Sequence, residues 1–356
     1  MSNALKVISS LLIAFIFAGL LFFFLTKEID SYIYTQGYES RGFLVQDTCS
    51  KYDKNESPIL LLGSSTTVED INGIVLEKEL NHTAYNFGMP GTDPVLNSLF
   101  IDCFLQMKPK TIIYTFTQTN IMDISKTREA EIYALLESRI AVDRTDERYS
   151  FLSEEQKNIS RESFFEKTLE KRKFIIDYLF NALRIITKKK ISQTNYHDLK
   201  NPTYIVESEK ILIEKHLGVQ NEILAAANFS NENNTKLLAL SYLINRFKQN
   251  NVSVILVNTP LHPYVLMQTN ISSADYFDKT LTKLCKEHNC TFINDFNKYQ
   301  NVSFFFDHVH LSFEGKDLFT KGLSKELSEK SSKELSNEIK KKSVGNIVKS
   351  KSKKVT

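Results

Sequence analysis

Short apolar runs alternate with stretches of helical spacing at both ends of this chain, and that alternation constrains the fold more than any other feature. "PILLLGSSTT" begins at Pro58 and is stopped as a strand by Gly63. Its brevity and flanks suit a buried parallel strand rather than a helix. "VEDINGIVLEKEL" follows with helical spacing at Val68, Ile71, Val75, Leu76 and Leu80. "TAYNFGMPGTDP" reads as a strand entering a Gly- and Pro-punctuated loop. "PVLNSLFIDCFLQM" is helical, and "KTIIYTFTQTN" is a β-branched, aromatic strand. Strand, helix, strand, helix, strand joined by short connections implies right-handed crossovers and helices on both faces of a sheet. The expected fold is therefore α/β: three layers, α/β/α, around a mostly parallel, flavodoxin-like sheet.

The pattern stops near Ser125 and resumes near Thr235. Between them lies a long, charged, mainly helical stretch, "RESFFEKTLEKRKFIIDYLFNALRIITKKK" being its clearest amphipathic part. It reads as an insertion or cap. Helix "TKLLALSYLINRFKQN", strand "VSVILVNTP", helix "SADYFDKTLTKLCKEH" and strand "CTFINDF" then lead to "FFFDHVHLSFEG", expected to finish a buried strand, and to a closing helix. The expected organisation is 1–27, a cytoplasmic stub and transmembrane anchor; 28–57, a connector; 58–125 and 235–330, two parts of one α/β domain; 126–234, the helical insertion; and 331–356, a basic disordered tail.

The anchor is read from "VISSLLIAFIFAGLLFFFLT", which runs uncharged from Val7 to Thr26. At about 1.5 Å per residue it matches a hydrocarbon core about 30 Å thick. A cleaved signal peptide would have a shorter apolar region and a small-residue cleavage site, and "FFFLTKEID" is not one. A short stub before one long domain favours the domain lying outside the cytoplasm, in the periplasm or extracellular space. The formal net charge is only +3, and Lys340–Thr356 alone carries seven lysines. The remainder is slightly acidic, which argues against a nucleic-acid partner. Cys49, Cys103, Cys285 and Cys290 are the cysteines. An exported domain permits disulfides, and Cys285 could reach Cys290, while a free buried thiol is an equal reading for Cys103. No paired CxxC suggests zinc.

In an open parallel sheet, ligands sit beyond the carboxyl ends of the strands. Four polar loops fall there. Gly63-Ser64-Ser65-Thr66 places a serine at a helix N-terminus, which suits an oxygen nucleophile, although Ser and Thr also simply cap helices. "NFGMPG" offers backbone N–H groups that glycine lets approach a ligand, and turn chemistry alone also explains it. Asn120 ends "TQTN" with an amide donor. Asp307 and His310 can meet across a turn, the carboxylate fixing the imidazole's tautomer. His308 is the rival base, read as an exposed neighbour. His262 in "NTPLHPYVL" could touch a substrate, though a loop histidine without a role is the simpler reading.

Taken in order, Ser after the first strand, Gly, Asn after the third strand and Asp-x-x-His before the last helix resemble the SGNH (GDSL-like) hydrolase superfamily. Gly63-Ser64-Ser65-Thr66 stands for the family's Gly-Asp-Ser-Leu block, with Ser64 in the aspartate's place. Gly91 matches the glycine block better than Gly88. Gln118-Thr119-Asn120 departs from the family's Gly-x-Asn-Asp, and "DHVHLSFEG" is similar to Asp-x-x-His-x-x-x-x-Gly. The resemblance implies Ser65 as nucleophile, His310 as base, Asp307 as its orienter and Gly91 and Asn120 in an oxyanion hole, with no metal or organic cofactor. The GSS block on one N-terminal anchor looks like membrane-bound polysaccharide O-acetyltransferases and the D-alanyl-transfer protein of teichoic acids. That implies an acyltransferase or esterase acting on a cell-surface glycan, partnered by a multi-spanning membrane O-acyltransferase. The alternative is a catalytically silent glycan-binding or scaffold subunit of an envelope complex.

Overall fold

The computed structural model describes residues 41–52, 56–121, 145–154, 156–157, 199–202, 234–268 and 271–330. The expected anchor, the tail and most of the expected insertion lie outside them. No helix among the described residues is long and apolar enough to cross a membrane.

In chain order the elements are α1 (Arg41–Ser50), β1 (Ile59–Gly63), α2 (Ser65–Asp70), α3 (Gly73–Leu80), β2 (Ala84–Asn86), α4 (Pro94–Leu99), α5 (Ile101–Gln106), β3 (Thr111–Phe116) and α6 (Gln118–Ile121). They continue with α7 (Glu147–Phe151), α8 (Thr235–Gln249), β4 (Ser253–Asn258), α9 (Pro263–Gln268), α10 (Ile271–His288), β5 (Thr291–Asn294) and a 3-10 turn at Val302–Phe304. Residues 313–330 form the closing helix, α11.

Among the described residues five strands form one parallel sheet, in the order β2-β1-β3-β4-β5. This is the doubly wound flavodoxin order, whose switch point lies between β1 and β3. Side chains alternate across the sheet. Leu60, Leu62, Ile112, Tyr114, Phe116, Val254 and Leu256 pack one face against α1, α4, α5, α8 and α10. Ile59, Leu61, Ile113, Val257 and Ile293 pack the other against Leu76 of α3 and Phe319, Leu323 and Leu327 of α11. Burial on both faces is why β1 reads as a continuous apolar run instead of an alternating one.

Several expectations need correcting. "VEDINGIVLEKEL" is not one helix. Asn72 interrupts it, its side chain accepting from the N–H groups of Ile74 and Val75 to cap α3. "PVLNSLFIDCFLQM" breaks at Phe100 into α4 and α5. There Phe100 leaves the helical region, with φ −90° and ψ 3°, and its N–H is shared between the Asn97 and Ser98 carbonyls. Part of the expected connector is α1, whose Val45 and Cys49 lie in the core. Cys103 is not a free thiol: it is bridged to Cys49, and Cys285 is bridged to Cys290. "FFFD" is not a sheet strand. Phe304 closes the 3-10 turn, and Phe305 makes only an isolated bridge to Leu311.

Candidate active site

The end of β1 is built for a sharp turn. Gly63 has φ 135°, and a Cβ there would stand 2.1 Å from the Thr115 carbonyl oxygen. Only glycine lets β1 and β3 approach so closely just before Ser64 and Ser65. The first turn of α2 is then fastened to the sheet, Thr67 Oγ1 donating to the Leu62 carbonyl at 3.1 Å. The carbonyls of Thr67 and Ile71 accept from the buried Asn86 amide at 2.7 and 3.1 Å. That of Val68 accepts from the buried Lys316 ammonium at 2.9 Å, a cation at a helix C-terminus.

The opposing turn is equally determined. Asp307 Oδ1 accepts the N–H groups of Val309 (2.9 Å) and His310 (2.8 Å), closing an Asx-type turn. Phe306 N–H donates to the His310 carbonyl and Ser312 N–H to the Phe304 carbonyl, each at 2.8 Å. Gly315 lets α11 start against this turn, since a Cβ there would meet the Phe304 carbonyl oxygen at 2.1 Å.

These two turns meet. His310 Nε2 lies 2.9 Å from Ser65 Oγ, and His310 Nδ1 lies 2.7 Å from Asp307 Oδ2. Ser65 is partly exposed, whereas His310 and Asp307 are buried. Burial pushes the Asp307 carboxyl up, but attraction and hydrogen bonding from His310, with the Val309 N–H, hold it well below the usual carboxylate range. Burial pulls His310 down, but the charge and hydrogen bond of Asp307, helped by Asp70 and Glu69, raise it to about 9. A serine hydroxyl within reach of an imidazole that a carboxylate orients can be deprotonated as it attacks an electrophile.

Asn120 joins this group. Its Oδ1 accepts from the Thr117 N–H (2.9 Å), Thr117 Oγ1 (3.0 Å) and Ser64 Oγ (3.3 Å). Its amide nitrogen has no hydrogen bond among the described residues, so that half of the group is available to a ligand. Ser64 is buried and its hydroxyl faces Asn120 and Thr66, not His310. The two candidate glycines separate cleanly. Gly88 N–H donates to Asn86 Oδ1 at 3.1 Å, and a Cβ at Gly88 would stand 2.6 Å from Thr67 Cβ. Gly88 is thus a close-packing position beneath α2. Gly91 has φ 76° in a turn strapped to β1 by the Met89 N–H and Thr92 hydroxyl, both donating to the Gly63 carbonyl.

Two histidines are placed otherwise than expected. His308 is buried, not exposed, with Nδ1 3.9 Å from Asp307 Oδ1 and its carbonyl accepting the His262 N–H. His262 is fully buried and so does not offer a surface to substrate. Its Nδ1 accepts the Tyr264 N–H at 3.2 Å, and its ring lies against Tyr264 and Phe305. Burial lowers its basicity, with Asp307 opposing, and its ring forms a wall behind the Asp307–His310 loop. Sequence reading missed Asp70, Asn86, Arg41 and Lys316. Arg41 donates to the carbonyls of Asn86 and Gly88, supporting the glycine loop from α1. A lysine or arginine in a helix ordinarily marks a solvated face, so nothing in the pattern singled these out.

The profile of one protein family matches residues 212–332, under half of the chain but including Asp307 and His310. No curated protein matches the chain in sequence. Among solved structures it is similar to the 2.00 Å crystal structure of a proposed acylhydrolase from Bacteroides fragilis. That likeness has a TM-score of 0.37 and 12% identity, covering 80% of this chain and 94% of the other.

Proposed function

We propose that this chain is a serine acyl-transfer enzyme of the SGNH type, an esterase or O-acyltransferase acting on acetyl or similar O-acyl groups of a cell-surface glycan. The observation that carries the reading is the 2.9 Å approach of Ser65 Oγ to a histidine whose other nitrogen is 2.7 Å from Asp307.

Ser65 Oγ attacks the acyl carbonyl carbon while its proton passes to His310 Nε2. Asp307 accepts the His310 Nδ1–H and stabilises the imidazolium. The oxyanion takes hydrogen bonds from the Ser65 and Gly91 N–H groups and the Asn120 amide. Collapse passes the proton to the departing oxygen of the acyl donor, a glycan ester in hydrolysis, and leaves Ser65 acylated. Water, or another glycan hydroxyl, then gives its proton to His310, attacks the acyl-enzyme and frees Ser65. The two outcomes share every residue and differ only in how well water is excluded.

The envelope setting is supported by the uncharged Val7–Thr26 segment and by the pairing of all four cysteines, which suits an oxidising compartment. In that setting the chain is membrane-anchored, its catalytic domain lies outside the cytoplasm, and a multi-spanning membrane O-acyltransferase supplies the acyl group. A fluorophosphonate probe tests the serine chemistry. Labelling is expected to disappear in Ser65→Ala and persist in Ser64→Ala. No labelling of wild-type protein, or labelling that survives Ser65→Ala, refutes the reading.

A further inference from the structure

Asp70 is buried at the last position of α2, the six-residue helix that begins with Ser65. Its Oδ1 accepts the Leu311 N–H at 2.9 Å, across 241 residues of sequence. Leu311 directly follows His310. Oδ2 is buried and has no hydrogen-bond partner among the described residues. One end of α2 therefore presents the hydroxyl to the imidazole, and the other end grips the backbone next to that imidazole.

We propose that Asp70 is a positioning residue of this site, clamping the turn that carries His310 to the helix that carries Ser65 and holding hydroxyl and imidazole at reacting distance. The inference rests on the triad reading of Ser65, His310 and Asp307. Asp307 helps to fix the shape of the His310 turn but, among the described residues, makes no hydrogen bond to α2. The Ser65–His310 contact is the one that must break and re-form as the proton moves. Bonds that take no part in the chemistry keep the two turns together: Lys316 ties α11 to the Val68 carbonyl, and the Asp70–Leu311 bond acts directly beside His310.

The charge state fits the same role. Burial raises the Asp70 carboxyl to about 8, opposed by His310 and the Leu311 N–H and reinforced by Glu69 and Asp307. Lys316, from α11, is the other charged group that faces it. At neutral pH the carboxyl is mostly protonated, and asparagine would preserve its shape and its acceptor. Above that value its ionisation adds a negative charge near His310 and favours the imidazolium.

The test uses the full chain with Asp70→Asn and Asp70→Ala. Two readouts are followed: the fluorophosphonate labelling rate, and the His310 imidazole titration by NMR, assigned with His310→Gln. Asp70→Asn is expected to label within about threefold of wild type, while its His310 titration moves to lower pH. Asp70→Ala is expected to label on the order of 10- to 100-fold more slowly, as a displaced catalytic group should. The proposal is overturned if Asp70→Ala labels at the wild-type rate. It is equally overturned if folded Asp70→Asn is as slow as the alanine variant, or leaves the His310 titration unmoved. The titration does not need a working enzyme, so it decides the matter even if Asp70→Ala does not fold. Wild-type protein that never labels would instead refute the triad reading.

Discussion

His310 has two opposed demands on it. As a base it must be neutral, yet Asp307 holds its proton and raises it to about 9, above the ordinary value of about 6.5. The reaction rate should therefore climb with pH and level off near 9, later than for an isolated histidine. Asp307→Asn removes the largest raising influence, so the limb should move to lower pH. The plateau should also fall by roughly 10²- to 10⁴-fold, because the imidazole loses its orienting acceptor. A limb that stays in place would mean that Asp307 does not control this group. Stability runs the other way. A raised histidine contributes fully below about 6.5, and that contribution is lost as pH rises through about 9. A lowered carboxylate contributes above its ordinary value of about 3.9, and that contribution is lost as pH falls toward the folded-state value. This pair therefore supports the fold most between about 4 and 6.5, below the pH at which it reacts fastest.

At the scale of elements, α2 is too short to hold itself in place, and its surroundings do so. Gly88 lies beneath it, where a Cβ would stand 2.6 Å from Thr67 Cβ and 2.9 Å from the Val68 nitrogen. Gly88→Ala should cost about 1–3 kcal/mol, as overpacked cores do, and lower the melting temperature. It should also slow Ser65 labelling, because α2 can relieve the clash only by moving. An unchanged melting temperature would show that the loop yields freely. Such dependence explains what the sequence could and could not disclose. The strands were legible because burial on both faces leaves continuous apolar runs, as in Ile59–Leu62. Ser65, Asp307 and His310 were expected together from the order of the polar loops, and the structure brings the three side chains into contact. Asp70 and Lys316 were not legible, because only tertiary packing turns a helix-end acid and a helix lysine into buried groups. The breaks at Asn72 and Phe100 were missed because the apolar spacing runs across them; at Asn72 a side-chain bond to the backbone starts a new helix.

For the whole molecule, α1 is stitched to α5 by the Cys49–Cys103 bridge, which spans 54 residues, whereas Cys285–Cys290 spans 5. Loop-closure entropy assigns roughly 4 kcal/mol to the first and about 2 kcal/mol to the second. Paired Cys→Ser variants should follow that order in urea unfolding, and the reverse order would show that α1 is not part of the cooperative unit. The first loop encloses β1, α2 and β2, so losing it also loosens Arg41 from the glycine loop behind the site. The central claim is that segments 245 residues apart, held together by this frame, act as one nucleophilic unit. Its most direct test is the rate of fluorophosphonate labelling in wild type and His310→Ala, with the adduct located by peptide mass spectrometry. The account predicts an adduct on Ser65 that forms roughly 10²- to 10⁴-fold more slowly without His310. An adduct on any other residue, or equal rates at Ser65 in both proteins, would contradict it.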